Sequence, residues 1–139
     1  EFSVLSIWAF SGADTSSPFD QQNGATNASG GTSLATGSVT PGSNGEVIIA
    51  LVGTNGAGSS FSVDSSFTLT ANSAFNSGVS YGQGSGYLIQ GSAAAVNPTF
   101  SWSGSATKSS GVIATFKATA SGLFIPYTPV PQLGPIQAQ

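Results

Sequence analysis

The chain has 139 residues and a formal charge of −3, with two basic and five acidic side chains and no Cys, His or Met. Those absences remove most of the general acids and bases, nucleophiles and metal ligands that enzymes use, so neither an enzyme nor a cofactor is expected. Two lysines cannot neutralise a phosphate backbone, which excludes nucleic-acid binding, and no apolar run of about 18 residues offers a membrane-spanning helix.

Hydrophobic residues make up 39% and aromatics 10%, a composition that folds rather than one that stays disordered. The length suits one domain with a core of its own. Its surface must be hydrated by Ser, Thr, Asn, Gln and Gly, since charge is so scarce. Such a surface repels its own copies weakly, which suits a polymer, a lattice or a coat of glycans. The lack of cysteine excludes a disulfide framework but leaves an extracellular address open. No basic leader with a small-residue cleavage site is seen, so the sequence reads as a mature chain or one whose true start lies elsewhere.

The first expected element is a strand over Phe2–Phe10. Phe2, Val4, Trp8 and Phe10 fall on one face, with Leu5, Ile7 and Ala9 on the other. Both faces are apolar, which predicts burial on both sides. Ser11–Gly31 is polar, holds Pro18, Asn23-Gly24 and Gly30-Gly31, and reads as a long loop pinned by Phe19. Thr32–Thr40 is a weak strand around Leu34 and Val39, ended by a turn at Pro41–Gly45. Glu46–Val52 is the strongest strand and is expected at the centre of a sheet. A Gly-rich turn follows over Thr54–Ser60.

Phe61 and Val63, then Phe67 and Leu69, alternate with polar residues, as half-buried strands do. Val79 and Tyr81 begin another strand, which Gly82–Gly86 is expected to break before Tyr87 and Ile89. Phe100 and Trp102 mark the next. In the last, Val112, Ala114 and Phe116 oppose Ile113, Thr115 and Lys117. About eight short strands with turns between them predict an all-β fold, an antiparallel β-sandwich of jelly-roll type.

From Leu123 onward the chain changes character. Pro126, Pro129, Pro131 and Pro135 favour extended, unpaired backbone. Yet Leu123, Phe124, Ile125, Tyr127, Val130, Leu133 and Ile136 are apolar, and a free linker is more polar than this. The expected organisation is therefore an N-terminal strand at 1–11 available for exchange between subunits, a sandwich at 12–120, and an apolar Pro-rich tail at 121–139. Phe2, Val4, Leu5, Ile7, Trp8 and Phe10, together with the apolar tail residues, are the candidate subunit interface.

Chemistry-bearing motifs are weak. Asp14 and Asp20 lack the oxygen-ligand spacing of a calcium site and read as turn caps. Serine has no histidine base, and Lys108 or Lys117 as a substitute lacks any nucleophile-elbow pattern. The Gly-rich stretches lack the Lys-Ser/Thr ending of a phosphate loop. Trp8, Trp102, Tyr81 and Tyr87 offer the aromatic surface of a sugar-stacking platform. Core positions are favoured for all four, less strongly for the tyrosines, so Tyr81 and Tyr87 are the candidate glycan-stacking pair. Asn27-Ala28-Ser29 is an N-glycosylation sequon with Asn27 as acceptor.

Four stretches carry a resemblance: Leu5–Gly12, Asp14–Asp20, Glu46–Gly53 and Gly111–Lys117. On these the chain resembles bacterial secreted and cell-surface β-sandwich modules. The resemblance implies an extracellular module, and in that group the opening strand follows several earlier ones. A chain opening at residue 2 is then expected to lack part of a sheet, leaving a groove for a strand from another copy. The expected function is a structural subunit of a pilus-like extracellular filament or surface lattice, a homopolymer built by strand exchange or tail docking. The alternative is a carbohydrate-binding or adhesive module of a larger surface protein.

Overall fold

The structure, a computed structural model, describes residues 6–56, 59–77, 79–104, 107–120 and 124–126. Among these residues ten strands form: β1 (Phe10–Ser11), β2 (Phe19–Gly31), β3 (Ser33–Ala35), β4 (Val47–Asn55), β5 (Ser59–Val63), β6 (Thr68–Ser77), β7 (Val79–Ile89), β8 (Thr99–Ser103), β9 (Thr107–Phe116) and β10 (Ile125–Pro126). Among the described residues there is no helix, and hence none long and apolar enough to cross a membrane. The protein is all-β, as its sequence predicts.

Every pairing is antiparallel. A five-stranded sheet has the order β2-β9-β4-β7-β6, and a three-stranded sheet the order β3-β8-β5. A two-stranded ribbon joins β1 to β10. The strand at Glu46–Val52 is central, as expected: β4 pairs along its whole length with β7 on one side and β9 on the other.

The two larger sheets pack face to face around one core. Ile48, Ala50 and Val52 of β4 and Ile113 of β9 meet Leu34, Phe61, Phe100 and Trp102 of the smaller sheet. Phe61 and Trp102 lie with ring centroids 5.7 Å apart. The connection from β5 to β6 carries the chain from the small sheet to the large one. Its central residues, Ser65 and Ser66, have φ of 58° and 64°, and the Phe67 amide donates to the Asp64 carbonyl at 3.2 Å.

Three sequence expectations need correction. Gly82–Gly86 does not break a strand, because β7 runs through it for eleven residues. Its even-numbered glycines face the core: a Cβ on Gly84 would lie 2.8 Å from the Phe61 ring. Gly111 works likewise on β9, where a Cβ would meet Thr36 at 3.1 Å and Leu34 at 3.2 Å. These glycines let the small sheet approach closely.

The expected loop before Thr32 is instead β2, thirteen residues long. Among the described residues it is an edge strand, paired only with β9, so its side chains stay wet and its apolar pattern is weak. Backbone pairing holds it in place of burial, and Asn23-Gly24 lies mid-strand, with the Asn23 amide donating to the Ser38 carbonyl at 2.8 Å.

The opening strand is the third correction. Within its described part only Phe10 and Ser11 pair as strand, and Ile7 is 83% exposed rather than buried. The segment Ser6–Ala9 is held by side chains, as described below. Phe2, Val4 and Leu5 lie outside the described residues.

Candidate functional site

Around Val47–Val52 the five-stranded sheet is apolar on both faces, because β4 has no polar residue there. One face makes the core. The other carries Val47, Ile49 and Leu51, flanked in register by Phe116, Ala114 and Val112 of β9 and by Ile89, Tyr87 and Ser85 of β7. Phe19 extends it on β2.

The N-terminal segment runs over this outer face along β7. Gln83 Nε2 donates to Ser6 Oγ at 2.6 Å, and Ser85 Oγ donates to the same oxygen at 3.4 Å. Trp8 Nε1 donates to Thr70 Oγ1 at 2.9 Å. Phe10 meets Tyr87 edge-on at 5.2 Å and Phe124 at 6.3 Å. These contacts cover Ser85, Tyr87 and Phe124, while Phe19, Val112 and Ile125 remain exposed.

Next to Ser6 and Trp8, a cleft of about 660 Å³ opens on the same face. Its floor is Gly53 on the central strand, where a Cβ would find no atom within 4 Å. Leu51 and Asn55 flank it along β4. Tyr81 and Gln83 line it from β7, Lys108 and Ser110 from β9, and Thr26 and Ala28 from β2, with Ser6 and Trp8 at the rim. Strand alternation explains the gathering: Gly53 pairs with Gln83 and Ser110, and Asn55 with Tyr81 and Lys108, so these side chains project from the same face.

The cleft combines flat aromatic surface with short amides and hydroxyls. Gln83 is buried, only 6% exposed, and its Oε1 has no hydrogen-bond partner among the described residues. Such an acceptor costs free energy unless something donates to it. Lys108 is exposed and is the single charged residue in the lining among the described residues. The other lysine, Lys117, is paired with Asp20 at 3.6 Å.

The remaining sequence candidates separate cleanly. Asp14 is a turn cap: its Oδ1 accepts from the amides of Ser16 at 2.7 Å and Ser17 at 3.1 Å, which hold its carboxyl below the ordinary aspartate range. Asp20 accepts from the Gly42 amide at 2.8 Å and braces the Pro41–Gly45 turn. Among the described residues no three acids cluster where they would hold a metal ion. Trp102 is core, but Trp8 is not; it stands at the rim of the cleft. Tyr81 lines the cleft, whereas Tyr87 sits six residues further along the same face under Phe10. Asn27 also reaches the cleft. Its Nδ2, the atom a glycan would occupy, donates to the Gly30 carbonyl at 3.2 Å.

Of the candidate interface residues, Phe10, Phe124 and Ile125 meet within one chain, where β1 pairs with β10. Leu123, Tyr127, Val130, Leu133 and Ile136 lie outside the described residues. Sequence reading missed Gly53, Asn55, Gln83 and Lys108. Each is unremarkable in its own window, and only the sheet register brings them together.

Compared with protein-family models, with curated proteins and with solved structures, the chain finds no match.

Proposed function

We propose that this chain is a carbohydrate-binding or adhesive module, acting outside the cell and holding an extended glycan in the outer-face cleft without chemical turnover. The observation that carries this reading is the cleft itself: an aromatic-lined concavity on the five-stranded sheet, holding a buried amide acceptor without a partner among the described residues. Its volume falls in the range of small-ligand sites, roughly 300–1,000 Å³. Sugars present apolar ring faces and a girdle of hydroxyls, which match Trp8 and Tyr81 on one hand and Gln83, Asn55 and Ser110 on the other. Near-absence of charge suits a ligand that is itself mostly hydroxyl.

The test is a glycan array followed by calorimetry with Gly53→Val and Tyr81→Ala. A Cβ at position 53 meets no other atom within 4 Å, and valine projects its methyl groups from there over the floor while favouring the strand. Both variants are expected to lose about tenfold or more in affinity, with Gly53→Val keeping the full melting temperature. Unchanged binding by Gly53→Val would sink the assignment, as would an array on which the unaltered protein binds nothing.

A second reading is favoured by a different observation on the same face. Phe19 and Val112 are exposed there, and Ile125 is exposed on a ribbon whose two short strands come from opposite ends of the chain. This suits a structural subunit that joins copies of itself in a filament or lattice by exchanging its terminal segments. Deleting residues 1–11 or 122–139 is then expected to abolish polymers seen by negative-stain microscopy. Normal polymers from both truncations would exclude it.

A further inference from the structure

The charge placed around the cleft narrows the ligand class. Five acids outnumber two lysines in the chain, yet among the described residues no acid lines the cleft and one lysine does. The other lysine is engaged by Asp20, so among the described residues Lys108 is the cation available to a ligand at this face. Lys108 pairs in register with Asn55, which pairs in turn with Tyr81, so the three stand side by side on adjacent strands. Two strand spacings separate Lys108 from Tyr81, about 10 Å. A sugar ring lying on Tyr81 therefore carries its substituents, or its neighbour in the chain, toward the ammonium group.

Resting on the carbohydrate reading above, we infer that the cleft takes an acidic polysaccharide, with a uronic-acid carboxylate paired to Lys108 while the neighbouring ring lies on Tyr81 and donates a hydroxyl to Gln83. A lone lysine matches a single carboxylate, whereas a sulfated chain presents a denser charge that calls for several cations. The net charge of −3 opposes any long-range attraction of an anion. Selectivity must therefore arise from this local pair, and its dependence on salt must be that of one charge.

The experiment sets galacturonate, glucuronate and mannuronate oligosaccharides beside their methyl esters, which keep the sugar chain and remove its charge. A sulfated neutral-sugar oligosaccharide forms a further arm. Calorimetry is run at about 20 mM and about 500 mM NaCl, where the Debye length falls from roughly 20 Å to about 4 Å. At least one acid is expected to bind about fivefold more tightly than its ester at low salt, as for a solvent-accessible ion pair. High salt and Lys108→Gln are each expected to bring the acid down to the affinity of its ester. Equal binding of every acid and ester overturns the inference, as does a preference for acid that survives Lys108→Gln or tightest binding of the sulfated chain. In the first of those cases the carbohydrate reading still stands. If no acid, ester or array glycan binds, that reading falls and the inference with it.

Discussion

A Cβ added at Gly84 and one added at Gly53 should have opposite effects, although the two glycines lie on adjacent strands of one sheet. At Gly84 the new atom would stand 2.8, 2.9 and 3.0 Å from Cδ1, Cγ and Cβ of Phe61. Ordinary contact begins near 3.4 Å, so Phe61 must retreat by about 0.6 Å. It has nowhere to go, being buried against Trp102 at 5.7 Å. Overpacking of this kind costs about 1–3 kcal/mol. At Gly53 the same atom enters open space. Both variants share the loss of unfolded-chain freedom, a gain of about 0.4–1 kcal/mol for Gly→Ala, so their difference isolates the clash. Urea denaturation is expected to place Gly84→Ala below Gly53→Ala by about 1–3 kcal/mol with equal m values. In a domain of this size the gap in melting temperature is about 4–12 °C. If the two variants agree within about 0.3 kcal/mol, the close approach of the sheets at β7 is not what requires glycine there.

Two further outcomes test the rest of the molecule. Phe100→Ala empties the centre of the core, where Phe100 is fully buried, and should destabilise by about 3–5 kcal/mol in the same urea assay, with the loss accompanied by faster unfolding. Asp14 has a carboxyl pKa below that of the unfolded chain, so it contributes stability above the unfolded value, and this is lost as pH falls through the folded one. The stability advantage of the unaltered protein over Asp14→Asn should accordingly shrink on acidification below about pH 4; an advantage that grows in acid would contradict the turn-cap geometry.

The sequence by itself determined the all-β class and the middle of the large sheet. Val47–Val52 is β-branched and apolar at every position but Ala50 and Leu51, and a strand of that kind is stable only when paired on both sides and covered on both faces. It also determined that Phe100 and Trp102 are core, since they alternate with serine and threonine. Two elements were hidden because their signals sit in backbone and in packing. Polar β2 is held by its ladder to β9, which leaves no mark on the side-chain pattern. The glycines of β7 look like a break until Phe61 is seen lying on them. The same strand alternation that could be read locally also decides the cleft, but the residues come from positions as far apart as Ser6 and Ser110. Nothing in any one window sets Gly53 beside Gln83 or Asn55 beside Lys108. Register across four strands does that, and register is fixed by how the inner face fits the small sheet. Folding of the whole chain therefore decided where the cleft lies, while the scarcity of charge legible in the sequence decided that a single lysine within it stands out.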